Sequence, residues 1–151
     1  KWDLTKDLDS VSSKDMEELI LSRLPHAKWA PHLFISAKTG KGVGRLLTLV
    51  NKTFDSFNTR IKTSKLNDFL ERALIEHSPP QRHNHPVRIY YVTQSRIRPP
   101  TFVFWSNTPE GIQKGYERYL SNSLRDAFGF KGTPLKLHFR KRRALGDEES
   151  S

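Results

Sequence analysis

Strict alternation of apolar and polar positions is clearest near the end of the chain, in residues 135–140. Leucine and phenylalanine occupy one set of alternate positions there, and basic residues and a histidine occupy the other. Residues 87–93 and 101–105 are rich in β-branched and aromatic side chains and carry apolar residues on both sets of positions. A period of two residues is typical of β-strands. The three segments therefore predict a three-stranded sheet whose first two strands are covered on both faces.

Apolar residues at helical spacing predict four amphipathic helices. Each has a starting signal, such as a capping serine or threonine or a flexible glycine, and all but the second have an ending signal that contains proline or glycine. The first predicted helix runs from Ser12 or Ser13 to before Pro25, and the second runs from the glycines of residues 40–44 to near Phe57. The third runs from Thr63 or Ser64 to before His77, and the fourth runs from Thr108–Pro109 to before Gly129. Between the first two helices, the short apolar run of residues 33–35 predicts one buried strand.

The order of these elements divides the chain into two parts and a tail. Residues 1–59 give helix, strand and helix, which is the end of an α/β unit, and residues 60–143 give the order α-β-β-α-β. In this second, α+β part, two helices cover one face of the three-stranded sheet. Residues 144–151 form a polar tail, which we expect to be flexible. A single strand cannot satisfy its own backbone hydrogen bonds, so we expect the partners of residues 33–35 to lie upstream of residue 1.

The composition limits the chemistry and suggests a partner. The chain has no cysteine, which excludes a disulfide framework and a thiolate metal site. The absence of cysteine also fits a reducing cytoplasm. The sequence has no run of about 18 apolar residues, so we expect a soluble protein without a membrane partner. The net charge of +10 is concentrated in residues 61–143, which hold sixteen Lys/Arg against six Asp/Glu. This excess predicts a polyanionic partner such as RNA, although a basic surface can also serve only solubility.

Two tripeptides near the start of the chain resemble the guanine-recognition motifs KxD and SAK of translation-factor-type GTPases. They are Lys1-Trp2-Asp3 and Ser36-Ala37-Lys38, separated by the first predicted helix. The resemblance implies that Asp3 binds guanine, that Lys1 packs on the base and that the backbone N–H near Ala37 meets the guanine carbonyl, with Lys38 in support. A carboxylate accepts two hydrogen bonds from the ring N–H and exocyclic amine of guanine, a pattern that adenine lacks. The alternative is a charged loop and a polar strand end.

Other parts of a GTPase site are absent from the sequence. It contains no G-x-x-x-x-G-K-[ST] phosphate loop and no identifiable magnesium or switch segment, and the asparagine that normally precedes KxD is not in this chain. The glycines of residues 40–44 are expected only to free the backbone before the next helix. We therefore expect no catalytic residue here and no GTP hydrolysis by the chain alone.

Three histidines are a weaker candidate for metal binding. His77, His83 and His85 could form a metal site, but no cysteine and no nearby acidic ligand support them. We interpret these residues as part of a polar loop and expect no bound metal.

Long segments of the second part resemble the C-terminal KH-like domain of the Der (EngA) bacterial GTPases. The resemblance rests on residues 64–80, 87–107 and 128–142 and extends over residues 1–143. Members of that family have two GTPase domains in tandem before this module and act in late assembly of the large ribosomal subunit. The resemblance implies that residues 1–59 are the incomplete end of the second, P-loop-type GTPase domain and that residues 60–143 are the KH-like domain.

The resemblance also implies ligands and partners. The intact protein would bind GTP or GDP with Mg²⁺, while the chain alone would bind no nucleotide tightly. Ribosomal RNA of the large subunit would be its partner, without DNA, and the missing GTPase domains would pack on the KH-like domain. The location would be the bacterial cytoplasm or an organelle of bacterial descent.

Basic residues in the second part are candidates for contact with RNA or the ribosome. They are Arg88, Arg96, Arg98, Lys136, Arg140, Lys141, Arg142 and Arg143. Four aromatic residues, Tyr90, Tyr91, Phe104 and Trp105, could stack on bases, with core packing or a domain interface as the alternative. Residues 129–132 have the GxxG letters of KH domains but lie between a helix and a strand, so we interpret them as a helix end and turn. The competing function is a stand-alone KH-type RNA-binding module without a role in nucleotide binding.

Overall fold

The computed structural model describes residues 2–5, 12–81 and 85–142. They form two compact units: residues up to 56 together with residues 131–133 make the first, and residues 57–130 with those from 134 onward make the second. The described helices and strands are α1 (Ser13–Arg23), α2 (Gly44–Phe57), α3 (Thr63–Glu76), β1 (Ile89–Arg96), β2 (Thr101–Ser106), α4 (Lys114–Phe128) and β3 (Lys136–Lys141). No helix among these residues has the length and apolar character needed to cross a membrane. The predicted polar tail lies outside the described residues.

Helix α1 begins where the sequence predicts a cap. The Ser12 hydroxyl accepts a hydrogen bond from the Asp15 backbone N–H at 3.1 Å, and the Asp15 carboxylate accepts one from the Ser12 backbone N–H at 2.9 Å. This reciprocal pair satisfies two N–H groups that have no partner within the helix. The predicted start at Ser12 or Ser13 and the predicted end before Pro25 are confirmed.

The apolar run at residues 33–35 is not a strand. The structure has no regular secondary structure at residues 31–36, and the three apolar residues are partly exposed. A strand exists only through hydrogen bonds to neighbouring strands, and the three strands among the described residues all belong to the second unit. The prediction of a buried strand is therefore wrong for this chain, because the run has no strand to pair with among these residues.

Helix α2 has the predicted amphipathic pattern, and its apolar stripe is largely exposed. Leu47 is 72% exposed, Phe54 57% and Val50 51%. An apolar stripe stabilises a helix mainly when another element covers it. The described part of the first unit thus contains the helices α1 and α2 but no sheet that covers them.

The second unit is built on a sheet with the strand order β1-β2-β3. Strands β1 and β2 are antiparallel, with Val92 opposite Phe104, and β2 and β3 are parallel, with Phe104 opposite Phe139. A parallel pair needs a crossover connection, which contains α4. β1 begins at Ile89, two residues later than predicted, and the predicted order α-β-β-α-β is confirmed for the described residues.

Helices α3 and α4 cover one face of this sheet. The core combines the predicted stripes of both helices with alternate residues of the strands. Its buried members are Leu66, Phe69, Leu70 and Ala73 from α3, Tyr116, Leu120 and Leu124 from α4, Ile89, Val92, Phe102 and Phe104 from the strands, and Phe130. Burying an apolar side chain of this size contributes about 1.5–3 kcal/mol relative to exposure. The core thus lies between the helices and the sheet, and neither of the described helices of this unit covers the opposite sheet face.

Helix α4 begins later than the sequence predicts. Pro109–Gly111 form a separate 3-10 turn, and α4 starts only at Lys114. Between them Ile112 has an extended backbone, with φ −83° and ψ 108°, and its side chain packs against the core. The prediction of a continuous helix from Pro109 is therefore wrong. The predicted end is confirmed, since Gly129 closes α4 with φ 72°, a left-handed conformation that glycine adopts at little cost.

Helix α3 also starts differently from the prediction. Thr63 is its first residue, and Lys62 precedes it without a side-chain cap. Neither Thr63 nor Ser64 is therefore the capping residue. The buried stripe that follows holds the helix in place without a cap.

Gln94 of β1 anchors the segment that leads into α3. Its side chain is buried, the amide oxygen accepts a hydrogen bond from the Ile61 N–H at 2.8 Å, and the amide nitrogen donates one to the Thr59 carbonyl at 2.9 Å. One glutamine therefore satisfies two backbone groups of a segment that has no regular secondary structure.

Candidate functional site

The two predicted guanine motifs meet in the first unit. The Ser36 hydroxyl donates a hydrogen bond of 2.6 Å to Oδ1 of Asp3, across 33 positions of sequence. Ser36 is only 1% exposed, so its hydroxyl has a defined orientation, while Asp3 is partly exposed. The structure thus brings together a carboxylate and a hydroxyl that the sequence places far apart.

Contacts of Trp2 hold Asp3 in this position. The Trp2 backbone N–H donates to the Ile35 carbonyl at 3.0 Å, and the Trp2 ring stacks on Phe34 with the ring centroids 4.5 Å apart. Trp2 opens a 3-10 turn that is closed when the Thr5 hydroxyl donates to the Trp2 carbonyl at 2.8 Å. The turn is therefore fixed against residues 34–36 by backbone and ring contacts that do not involve the Asp3 carboxylate.

The loop after Ser36 folds back on it. The Ser36 backbone N–H donates to the Lys41 carbonyl at 2.9 Å, and the Thr39 N–H donates to the Ser36 hydroxyl oxygen at 3.3 Å. Gly42 completes the return with φ +80°, and a Cβ atom there would lie 2.5 Å from the Phe34 carbonyl oxygen. Only glycine fits this position without a shift of the backbone. The structure supports the interpretation that these glycines free the backbone before α2.

Trp2, Asp3, Ser36, Thr39 and Lys41 line a cavity of about 270 Å³. This volume is close to the lower limit of about 300 Å³ that is usual for small-molecule sites. The hydroxyl of Ser36, and next the Asp3 backbone, lower the pKa of the Asp3 carboxyl by hydrogen bonding to its charged form. The carboxylate is therefore ionised at neutral pH, and it can accept hydrogen bonds from a neighbouring pair of N–H groups.

The remaining predicted guanine residues differ in their placement. Ala37 and Lys38 lie in the turn after Ser36 and are exposed, and neither lines the cavity. Lys1 lies outside the described residues. Thr39 and Lys41 also line the cavity, and the sequence motifs did not predict them. Their position directly after Ser36-Ala37-Lys38 could have indicated that they lie near the site.

The predicted RNA-contact cations are exposed wherever the structure describes them, but they do not form one cluster. Lys136 and Arg140 share the sheet face opposite the helices, and Lys141 occupies the other set of β3 positions. The Arg142 guanidinium lies over the Tyr90 ring, 5.0 Å from its centroid, which is a cation–π geometry. Arg96 ends β1, and Arg143 lies outside the described residues.

Two other predicted cations have structural contacts. The Arg88 backbone N–H donates to the Asn107 side-chain oxygen at 2.8 Å, and Arg88 is exposed. The Arg98 guanidinium donates to the Asn58 side-chain oxygen within the second unit. Arg98 therefore has a structural partner already.

The GxxG letters lie at a helix end and a turn in the structure, and one of the three histidines, His77, has a packing contact. Gly129 ends α4, and residues 131–133 belong to the first unit, where the Gly132 N–H donates to the Trp29 carbonyl at 3.4 Å. This supports the interpretation of residues 129–132 as a helix end and turn. The His77 ring packs on Tyr119, with centroids 4.7 Å apart, and His83 lies outside the described residues.

The fold of the second unit, two helices on a mixed three-stranded sheet, is that of a KH-like α/β domain. A family model described as the KH-domain-like of EngA bacterial GTPase enzymes, C-terminal, matches residues 60–140, and the chain belongs to this family. The resemblance to the Der (EngA) GTPases that the sequence indicated is thereby confirmed.

Curated relatives named GTPase Der match nearly the whole chain. The protein from Moorella thermoacetica is 42% identical over 143 residues, which are 95% of this chain and 32% of the relative. Those from Clostridium kluyveri and Clostridium botulinum are 43% identical over 143 and 145 residues, again 95% of this chain and 32% of the relative. The chain thus spans about a third of the length of the curated relatives that it matches.

Proposed function

We propose that this chain is the C-terminal third of a bacterial GTP-hydrolysing protein of the Der type, and that its first unit reads the guanine base. The observation that carries the proposal is the ionised Asp3 carboxylate, oriented by the buried Ser36 hydroxyl at the edge of a cavity of about 270 Å³. The relatives named GTPase support the class of activity.

The chemistry of the cavity suits guanine. The Asp3 carboxylate would accept hydrogen bonds from the ring N–H and the exocyclic amine, and the backbone N–H near Ala37 would meet the guanine carbonyl oxygen. Adenine presents an unprotonated ring nitrogen to the carboxylate and would leave it without one partner, which costs binding free energy. Lys1 would pack on the face of the base.

Binding of the phosphates and Mg²⁺ requires groups beyond those that line this cavity. The sequence has no phosphate-loop motif, so this chain supplies base recognition, and catalysis by the intact protein uses residues of other segments. We therefore expect no GTP turnover by the 151-residue chain alone.

The second unit would serve as a basic docking module for ribosomal RNA during assembly of the large subunit in the cytoplasm. Its exposed cations, among them Lys136, Arg140 and Arg142, support contact with a polyanion. A stand-alone RNA-binding module is the competing function. The Asp3–Ser36 hydrogen bond favours the GTPase, because it joins the two guanine-recognition motifs, which an RNA-binding module would not need.

The substitution Asp3→Asn in the intact protein tests the guanine site. The asparagine NH₂ group donates a hydrogen bond where a carboxylate oxygen accepts one. We therefore expect the preference to shift from GTP toward xanthosine triphosphate by at least about tenfold, or ~1.4 kcal/mol. Nucleotide affinities measured by competition binding report the shift. Asp15→Asn, which makes the same chemical change at the α1 cap, should leave selectivity unchanged. Unchanged selectivity in Asp3→Asn would remove Asp3 from a guanine site.

A further inference from the structure

The chain leaves the second unit for three residues between α4 and β3. Residues 131–133, here called the crossing loop, belong to the first unit, whereas Phe130 before them and Pro134 after them belong to the second. Phe130 is fully buried in the core of the second unit, and its ring packs edge-to-face on Phe102 with the centroids 5.7 Å apart. Lys136 then opens β3. The crossing loop is therefore short, and both of its ends continue into fixed elements of the second unit.

The crossing loop makes close contacts within the first unit. The Gly132 N–H donates to the Trp29 carbonyl at 3.4 Å, and the hydroxyl of Thr133, which is fully buried, donates to the Thr53 carbonyl at 3.3 Å. A Cβ on Gly132 would lie 2.8 Å from Oγ1 of Thr53 and 3.0 Å from Cδ of Pro31. The backbone there has φ +72°, so both the space and the conformation require glycine. The loop thus contacts two elements of the first unit, the segment before His32 and helix α2.

Both of these elements lead directly to the candidate guanine site. Pro31 precedes Ser36 by five residues, which span at most about 18 Å even when fully extended. Helix α2 begins at Gly44, directly after the loop that folds back on Ser36, and Thr53 lies nine residues further on, or about 14 Å along the helix axis. Two short connections therefore join the crossing loop to the guanine site.

We propose that the crossing loop is a positioning element for the guanine site, and that docking of the loop and binding of a guanine nucleotide strengthen each other. The inference rests on the proposed reading of guanine by Asp3 and Ser36, and it adds a segment that lies outside both guanine motifs. A bound nucleotide would restrict residues 31–36 and the start of α2, so the loop would lose less conformational freedom when it docks on them.

Linkage makes this effect reciprocal. If the nucleotide favours docking of the crossing loop, the docked loop raises the affinity for the nucleotide by the same factor. Because the loop continues into α4 on one side and β3 on the other, the second unit would respond to nucleotide binding in the first.

Two glycines at the ends of one short segment provide a matched pair of variants. Gly129 and Gly132 both have φ +72°, but a Cβ on Gly129 meets nothing within 4 Å, whereas one on Gly132 would be too close to Thr53 and Pro31. Both alanine variants therefore carry the same left-handed strain, and only Gly132→Ala pushes the crossing loop away from the first unit. Thr53→Ala removes the nearest of the clashing atoms and is the rescuing change.

Isothermal titration of the intact protein with xanthosine diphosphate measures the coupling. The expected tandem GTPase domains give that protein two nucleotide sites, so all variants are made in an Asp3→Asn background, which directs this nucleotide to the site in question. We expect Gly132→Ala to weaken binding at least about fivefold and Gly129→Ala less than about twofold. Adding Thr53→Ala to Gly132→Ala should recover at least about twofold of the lost affinity, because the two positions are in contact.

Thr133→Val is a milder second disruption, which decides the question if Gly132→Ala does not fold. It keeps the shape of the side chain and removes the hydroxyl that donates to Thr53, so we expect binding to weaken about two- to threefold. Hydrogen exchange measures the reciprocal effect. Xanthosine diphosphate should slow the exchange of amides 131–136 in the Asp3→Asn protein and have a smaller effect after Thr133→Val.

Three results would overturn the proposal, and they separate it from the guanine site itself. If Asp3→Asn alone binds no xanthosine diphosphate, the guanine site is wrong and the coupling falls with it. If that protein binds the nucleotide and the folded Gly132→Ala and Thr133→Val variants, checked by circular dichroism, bind it equally well, the guanine site stands and the coupling is wrong. An equal loss in Gly129→Ala and Gly132→Ala, without recovery by Thr53→Ala, would assign the loss to backbone strain alone.

Discussion

At the scale of single residues, the candidate site depends on a few side chains whose neighbours restrict them closely. Ser36 is buried and orients Asp3, and Gly42 lets the loop return close to the Phe34 carbonyl. The sequence identifies Asp3 and Ser36 by their motif, but the 2.6 Å hydrogen bond between them depends on how the Trp2 turn packs. Residue types could therefore be predicted, while their contacts could not.

Two glycines of this loop allow a matched test. Gly40 and Gly42 both have positive φ, +72° and +80°, but a Cβ at Gly40 meets nothing within 4 Å whereas one at Gly42 would lie 2.5 Å from a backbone oxygen. Both alanine variants carry the left-handed strain of about 1–2 kcal/mol. We expect Gly42→Ala alone to displace Ser36 as well, so guanine-nucleotide affinity of the intact protein should fall clearly more than in Gly40→Ala.

Isothermal titration with GDP measures this difference. Thermal melting of both variants separates loss of the site from loss of the fold. Equal affinities in the two variants would show that the close approach to Phe34 is not needed for the site.

At the scale of elements, hydrophobic periodicity predicted the second unit well and the first unit less well. The stripes of α3 and α4 match buried positions, and the apolar residues of β3 are partly buried against the same core, because these elements have one apolar face and a partner that covers it. The run at residues 33–35 has the composition of a strand, but strand formation needs a neighbour. Ile112 interrupts the predicted fourth helix, since its side chain packs on the core with an extended backbone.

The segment before α3 depends on the side chain of Gln94, and Gln94→Met tests this contact. Methionine has a similar length but neither accepts from Ile61 nor donates to Thr59, so two backbone groups lose a partner. We expect the free energy of unfolding of the second unit to fall by about 1–3 kcal/mol. Urea unfolding followed by circular dichroism measures the change.

Gln113→Met is the matched control, because Gln113 is exposed and makes no side-chain cap to α4. Its effect should stay within about 0.5 kcal/mol, as for most surface substitutions. A similar loss in both variants would mean that the hydrogen bonds of Gln94 contribute nothing specific.

At the scale of the whole molecule, the two units differ in how well they bury their apolar surface. The second unit has a closed core on one face of a sheet, whereas Leu47 and Phe54 of α2 are more than half exposed. We therefore expect stability to be unequal along the chain, since helices that bury little apolar surface open easily.

Hydrogen exchange followed by mass spectrometry measures this inequality. In the 151-residue chain we expect the amides of α2 to exchange at least about tenfold faster than those of α3, because local opening of α2 exposes little additional apolar surface. In the intact protein the protection of α2 should rise, while that of α3 changes little. Equal protection of both helices in the isolated chain would contradict the unequal burial.

The sequence by itself determined the order of elements in the second unit, its core positions, its charge and the residue types of the guanine motifs, because each of these follows from local spacing or composition. Only the tertiary structure decided that Ser36 orients Asp3, that Gln94 holds the segment before α3, and that Tyr91, Trp105 and Arg140 lie side by side on the sheet face opposite α3 and α4. The physical reason is that these contacts join residues far apart in sequence. Strand register and packing set their geometry, and neither quantity is encoded in any single segment.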